Sequence, residues 1–437
     1  MTSPRDSLLR LSSSVCEAAE AVSVEERVSR ATAGADASIS LGAGYGLTLS
    51  ARVIRDGRIG LGTSFGPPDL PGLVEMAISA ARLGPRATFD FPGRSDPGRL
   101  DTSHPALEAM AAEDLAGYIL QACDILEERL PGSVLTGSMS LRRTAIALAN
   151  TSGFEGSYEK TTLEVILDVS TPQRSSRTLT QGLRFSTGLP LADAEVVLED
   201  VMERAALPAA EGWIPGADCS VIVAPQVLSA VLQSLRAGSS ASALVSRSTP
   251  LMGREGTLLA PSIVSIMDRP RLPYGAASAP FDAEGVPTAD RSLISAGRFA
   301  GFVYDLATSA AAGSGSAGSA GRAAGEPPFP VCTNLVMSTG SESLGGLMRR
   351  AGTGMIVASV LPGGSGDLMK GDFDFQVSCA VVFSGGEPVG VASGFPFSGN
   401  TYRLLAAIEA VEDSLHCAGQ DWLPHVLVPP GWNGPNG

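Results

Sequence analysis

Five short patterns in the chain have spacings that chemistry uses. Gly62-Thr63-Ser64-Phe65-Gly66 matches G-x-S-x-G, the nucleophile elbow in which a strand-to-helix turn exposes a serine to a histidine and an acid. Here it leaves a hairpin strand instead. Ser157-Tyr158-Glu159-Lys160 matches S-x-x-K, where the lysine would deprotonate the serine. That pair belongs at a helix N-terminus, whereas this one runs into the strand-like TTLEVILDV, and the companion S-D-N and K-T-G are absent. A charged turn residue is the plainer account. Gly313-Ser314-Gly315-Ser316-Ala317-Gly318 matches G-x-G-x-x-G without a preceding strand or a following helix to aim at a pyrophosphate, and reads as linker composition.

Metal-ligand types cluster at His416, Cys417, Asp421 and His425. Zinc needs three or four convergent ligands, yet helical i, i+4 spacing joins only Cys417 and Asp421, and Pro424 breaks any helix before His425. With His104 the one remaining histidine, no H-E-x-x-H can be written, so a self-sufficient histidine-ligated zinc hydrolase is not expected. Phe281-Asp282-Ala283-Glu284-Gly285 and Gly371-Asp372-Phe373-Asp374 could pair carboxylates for acid–base work or hold a cation. Acidic residues in glycine-containing turns also accept backbone N–H bonds, and spacing leaves both roles open.

The elements that must position these residues follow from periodicity. The opening region to about Leu41 has helical spacing in Leu8, Leu9, Val15, Ala18 and Ala19. GLTLSARVI and IGLGTSF flank the turn Arg55-Asp56-Gly57-Arg58 as a hairpin, and a helix capped by Asp69 runs to Leu83. A helix over 106–130 precedes an antiparallel pair over 134–149 and 161–169, and another helix spans about 193–206. CSVIVAP then reads as a buried strand, VLSAVLQSLRAG as a helix, and short apolar runs as strands up to a last helix over 402–415. The Gly/Ser/Ala segment 310–326 reads as a flexible loop and the Pro/Gly-rich tail as disordered. These elements predict an α+β fold: residues 1–97 and 98–210 as two α+β domains, 211–425 as a large β-rich C-terminal domain, and 426–437 as a disordered tail.

Composition excludes several classes. At 437 residues, 44% apolar and 17% charged, the chain is long enough and apolar enough to bury a core. A net charge of −14 leaves no basic field for phosphates, which argues against nucleic acid or an anionic membrane as partner. No apolar stretch reaches the length of a signal-peptide core or a membrane span, and the six scattered cysteines form no CxxC, so reduced thiols and a cytoplasmic location are expected.

The order of motifs resembles the TldD/PmbA family, once called modulators of DNA gyrase, and within it the PmbA (TldE) branch. The resemblance runs from about Gly44 to Leu415. It is carried by GYGLTLSARVIRDGRIGLGTS, LVEMAISAARLG, ALANTSGFEGSYEKTTLEVIL, VIVAPQVLSAVLQSL, SIMDRPRLPYGAASAPFDAEGVPTADRSLISAGRFAGFVYDLATSA, PFPVCTNLVM and FSGNTYRLLAAIEAVEDSL. Active members of that family are zinc metallopeptidases with an H-E-x-x-x-H helix, paired with a PmbA-type subunit. The matching helix here, Val227 to Gly238, has no histidine. The resemblance therefore implies a chain with no catalytic residue and no metal of its own. Its partner would be a TldD-like zinc-binding subunit, and the pair would trim unfolded or precursor peptides. A peptide-binding or scaffold homodimer is the alternative. Residues matching the family motifs that would line a shared substrate channel are Phe281, Asp282, Glu284, Gly285, Thr333, Asn334, Gly371, Asp372, Gly399 and Asn400. Segments 310–326 and 361–386 depart from the family pattern, a change that would re-shape substrate choice.

Overall fold

The computed structural model describes residues 3–432 except 37, 68, 173–177, 211–215, 217–218 and 314–316. Its N-terminal layer is one antiparallel sheet of six strands, in the order β3-β2-β1-β4-β5-β6. These are β1 (Ala18–Ala33), β2 (Ile39–Arg55), β3 (Arg58–Phe65), β4 (Val134–Asn150), β5 (Glu155–Pro172) and β6 (Thr178–Thr187). Helices α1 (Pro4–Ser13), α2 (Leu70–Ala81), α3 (Pro105–Ala109), α4 (Ala112–Arg129) and α5 (Ala194–Ala206) supply the rest of this layer. Strand alternation explains why one face takes the helices. Leu163, Val165, Leu167 and Val169 of β5 share a buried cluster with Leu115, Ile119, Ala122 and Leu126, the apolar stripe of α4. The β2–β3 hairpin is closed by Asp56 and Gly57 at φ 52° and 67°, the paired left-handed residues of a two-residue turn.

Two expectations are corrected here. Only Pro4–Ser13 of the opening region is helical, because β1 lies between β2 and β4 and is paired along its length with both. Ladder formation outweighs the local preference of its Ala, Glu and Arg residues. The same pairing carries one sheet across residues 97/98, so the two expected N-terminal units share it.

The C-terminal portion holds two further large sheets. The seven-stranded one runs Glu387–Ala392, Asp372–Ser384, Thr353–Val360, β7 (Ser220–Val223), Val426–Val428 and Ala410–Val411, with Pro396–Asn400 pairing onto Asp372–Ser384. The six-stranded one runs Arg298–Phe299, Arg291–Ser295, Ile266–Asp268, Leu335–Met337, Asp421–Leu423 and His416–Ala418. Helices α6 (Pro225–Val231) and α7 (Gln233–Gly238) bury Val227, Leu228, Val231, Leu232 and Leu235 in the core between them, with Val223, Ile266, Leu335 and Val357. The fold is α+β with a β-rich C-terminal portion.

Three sequence expectations fail in this portion. The helix expected over 402–415 is confined to Thr401–Ala406, because Ala410–Val411 is drawn into pairing with Val426–Val428. The tail is ordered to Trp432: Val426–Val428 is an inner strand, and Trp432 lies against Phe373 and Phe397. Residues 433–437 lie outside the described residues. Segment 310–326 is likewise structured where described. Leu306–Ala312 is a helix capped by the Asp305 carboxylate, and Ala320–Gly321 pairs with Phe329–Pro330. Ser314-Gly315-Ser316 of the G-x-G-x-x-G match lie outside the described residues. No helix among the described residues is long and apolar enough to cross a membrane.

Candidate functional site

Strand period places Val22, Val24 and Glu26 of β1, Ile146 and Leu148 of β4, and Tyr158 and Lys160 of β5 on the sheet face that carries no helices. Above this face lie segments 277–288, 318–324 and 331–333 of the C-terminal portion, enclosing a cavity of about 700 Å³. Phe281 closes one end, edge-to-face with Phe154 and Tyr158 at 5.2 Å from each. Two smaller cavities share walls with it. One of about 510 Å³ meets it at Val331 and Cys332, and one of about 290 Å³ meets it at Ile146, Lys160 and Gln420.

Lys160, Asp268 and Arg322 of the cleft wall keep unused hydrogen-bonding capacity, Arg322 at Nε and one terminal nitrogen. The Lys160 ammonium donates to the Ala276 carbonyl at 3.1 Å, and among the described residues no carboxylate pairs with it. Burial pushes its pKa down to about 8. Asp268 accepts at Oδ1 from the Thr333 N–H (2.7 Å) and hydroxyl (2.6 Å), while its buried Oδ2 has no partner among the described residues. Burial pushes this carboxyl up as well. The cleft thus offers a cation to a bound chain. Cys332 is no nucleophile, since burial raises its thiol to about 12.

The ten expected channel residues divide into three that line the cleft, three neighbours in sequence (Glu284, Gly285 and Asn334) that do not, and four that lie elsewhere. Phe281, Asp282 and Thr333 line the cleft. Asp282 accepts the Glu284 and Val286 N–H groups at Oδ1 (2.9 and 3.0 Å) and the Ala320 N–H at Oδ2 (3.0 Å), so it folds its turn and ties it to the neighbouring strand. Burial pushes it up to about 6. Gly285 closes that turn at φ 84°, with the Phe154 ring 2.6 Å from where a Cβ would sit. Asn334 is fully buried and structural, accepting from the Ala277 N–H (2.9 Å) and donating to the Arg269 carbonyl (2.8 Å). The other four lie outside the cleft. Gly371, Asp372, Gly399 and Asn400 sit where two strands pair, Asp372 opposite Asn400, whose Nδ2 donates to the Asp372 carboxylate at 2.9 Å.

Glu284 belongs to an ion cluster behind the cleft that the linear sequence does not reveal. Arg52 of β2 donates to Glu284 (2.6 Å) and Glu20 of β1 (2.9 Å), and Arg322 donates to Glu20 and to the Ala283 carbonyl. Phe89 and Phe91 cover the Arg52 guanidinium, with ring centroids 5.4 and 5.0 Å away. Burial works against ionisation of Glu20, but the two guanidiniums outweigh it and hold that carboxyl below its usual range. Burial dominates at Glu284, raised to about 7. The cluster fastens the roof of the cleft to its floor.

The remaining patterns are structural. Ser157 and Lys160 differ by three residues on a strand, so they point to opposite faces and cannot form a dyad. At Gly62 an added Cβ would come within 2.6 Å of the Leu73 carbonyl, so G-x-S-x-G lets α2 lie close on β3. Among the four expected metal-ligand types, Asp421 pairs with Arg236 and accepts from the Ser229 hydroxyl (2.8 Å) and the Leu335 N–H (2.9 Å). Cys417 turns toward the Ser186 carbonyl. His416 and His425 converge instead on Glu412.

The family resemblance sets its H-E-x-x-x-H segment against α6–α7. None of the residues in these two helices is a zinc-ligand type, and Gln233 and Arg236 face the 510 Å³ cavity. The Arg236 guanidinium occupies this place, donating to the Cys332 (2.9 Å) and Thr333 (2.6 Å) carbonyls. A dication does not fit here.

The profile of the PmbA/TldA metallopeptidase C-terminal domain matches residues 216–430. The chain belongs to the TldD/PmbA family. A metalloprotease PmbA homolog of Haemophilus influenzae is 29% identical over 195 residues, 45% of this chain and 41% of that protein, so the match spans about two fifths of that relative's length. The fold superposes on TldE from Thermococcus kodakarensis with a TM-score of 0.88 at 20% identity, over 97% of this chain and 98% of that one. A proposed modulator of a DNA gyrase from Thermotoga maritima gives 0.85 at 19% identity, over 97% of each. The family is PmbA/TldE metallopeptidase-like.

Proposed function

We propose that this chain is the non-catalytic subunit of a two-chain zinc peptidase, and that its cleft receives an extended peptide destined for the zinc of a TldD-like sibling. The observation that carries the reading is the pairing of a large, partly charged cleft with a catalytic-helix position filled by Gln233 and Arg236. A peptide offers carboxylate oxygens to Lys160, a half-buried cation of the cleft wall whose one hydrogen bond is to a carbonyl. The sibling's metal supplies the activated water. This chain contributes binding and alignment, which hold the scissile bond in place and exclude competing chains.

Co-expression with a sibling bearing H-E-x-x-x-H tests the reading. Size exclusion should give a 1:1 complex, and unfolded peptides should be cleaved by the complex and not by this chain alone. Cleavage by the isolated chain, or a sibling equally active without it, overturns the proposal. A self-associating chain that binds peptides and ignores every sibling points to the scaffold homodimer.

A further inference from the structure

Outside the cleft, two of the chain's three histidines meet on one carboxylate. Glu412 follows strand Ala410–Val411 and His425 precedes its partner Val426–Val428, so the backbone pairing that joins those strands brings the two side chains together. His416 opens strand His416–Ala418, at the edge of the other C-terminal sheet. His425 Nδ1 and His416 Nε2 lie 2.7 and 2.9 Å from Glu412 Oε2, and the three donor atoms all fall within 4.8 Å of one another. The Glu412 and His425 side chains are 7% and 13% exposed and that of His416 is 42%, which leaves one side of the cluster open to water.

We propose that Glu412, His416 and His425 form a binding site for a zinc-class divalent ion. Two imidazoles and a carboxylate are a donor set that zinc takes at about 2.0–2.2 Å, with a fourth position left for water. Tetrahedral geometry at those lengths sets donors about 3.4 Å apart, which small side-chain rotations reach from the present arrangement. The ion takes the ring nitrogens now donating to Oε2, so a neutral ring moves its proton to its other nitrogen and a doubly protonated ring releases one. Its role is structural. The ligands come from the ends of the outermost strand pair of the seven-stranded sheet and from the edge of the six-stranded sheet, so the ion cross-links the two sheets.

The test uses the full chain, free of any histidine tag and stripped with a chelator. Titration with Co²⁺ should give the visible absorption of a four-coordinate ion saturating at one equivalent, Zn²⁺ should abolish that absorption, and Zn²⁺ should raise the melting temperature. His416→Ala should weaken Co²⁺ binding by about 100-fold or more and remove the Zn²⁺ shift. Cys417→Ser should leave both intact. If His416→Ala loses its fold by circular dichroism, His416→Gln, which can still hydrogen-bond Glu412, reads the same outcome. Absence of saturable Co²⁺ absorption, or absorption that survives the His416 substitution, overturns the proposal. Neither result bears on assembly with a sibling.

Discussion

Lys160 shows how one side chain acquires meaning only in three dimensions. In the sequence it suggests a partner for Ser157, but strand parity separates the two and turns the ammonium into the cleft. Its pKa of about 8 against an ordinary 10.5 means that the folded state holds this proton less firmly than the unfolded chain does. Charging therefore costs stability, fully below about pH 8 and not at all above about pH 10.5. Lys160→Met should melt higher than the parent at pH 7, with the gap closing by pH 10.5, as thermal denaturation across pH would read. Affinity for a peptide with a free carboxylate should fall as pH rises through about 8 in the parent and stay flat in Lys160→Met, by calorimetric titration. For Asp282 the sequence leaves open whether the carboxylate works in acid–base chemistry or accepts backbone N–H bonds in its glycine turn, and the structure shows three such bonds. The role of Glu284 is not legible, because Arg52, its partner, lies 232 residues away. Arg52→Ala strips Glu284 of its cation and half-unpairs Glu20, and should cost about 3–5 kcal/mol in urea unfolding.

At the scale of elements, the sequence is most readable where a local signal and the tertiary pairing agree. The β2–β3 hairpin has Asp56-Gly57 between alternating runs, α2 has Asp69 accepting the Gly72 N–H, and β4 and β5 alternate along a shared face. Reading fails where pairing is decided elsewhere in the chain. β1 carries helix-forming residues yet is held by two long neighbours, and Val426–Val428 is three residues in a Pro/Gly-rich context that β7 recruits into an inner position. The recruited tail ends on Trp432, whose ring lies 5.9 Å from Phe397 and 6.2 Å from Phe373. Trp432→Ala should therefore destabilise the protein by about 3 kcal/mol in denaturant unfolding, whereas a dispensable tail would show no change.

Across the whole molecule, the cleft is a product of the fold rather than of any motif. Its floor is the helix-free face of the N-terminal sheet, its roof comes from segments more than 250 residues further along than Val22, and a buried ion cluster fastens one to the other. The roof segments 281–285 and 333–334 stand out as motif positions in the sequence; of the floor residues, Tyr158 and Lys160 fall within the S-x-x-K match and the others look like ordinary strand. The helix that the resemblance sets at the family's catalytic position is the opposite case, since the want of histidine between Val227 and Gly238 is plain in the sequence and the structure adds how Arg236 is held there. The central claim is that peptide hydrolysis belongs to a sibling and substrate alignment to this chain. The most direct measurement is the rate of peptide cleavage by a fixed amount of zinc-loaded sibling as this chain is titrated in. The rate should rise from near zero and saturate at one equivalent; a rate independent of this chain, or proportional to it when the sibling is left out, would contradict the account.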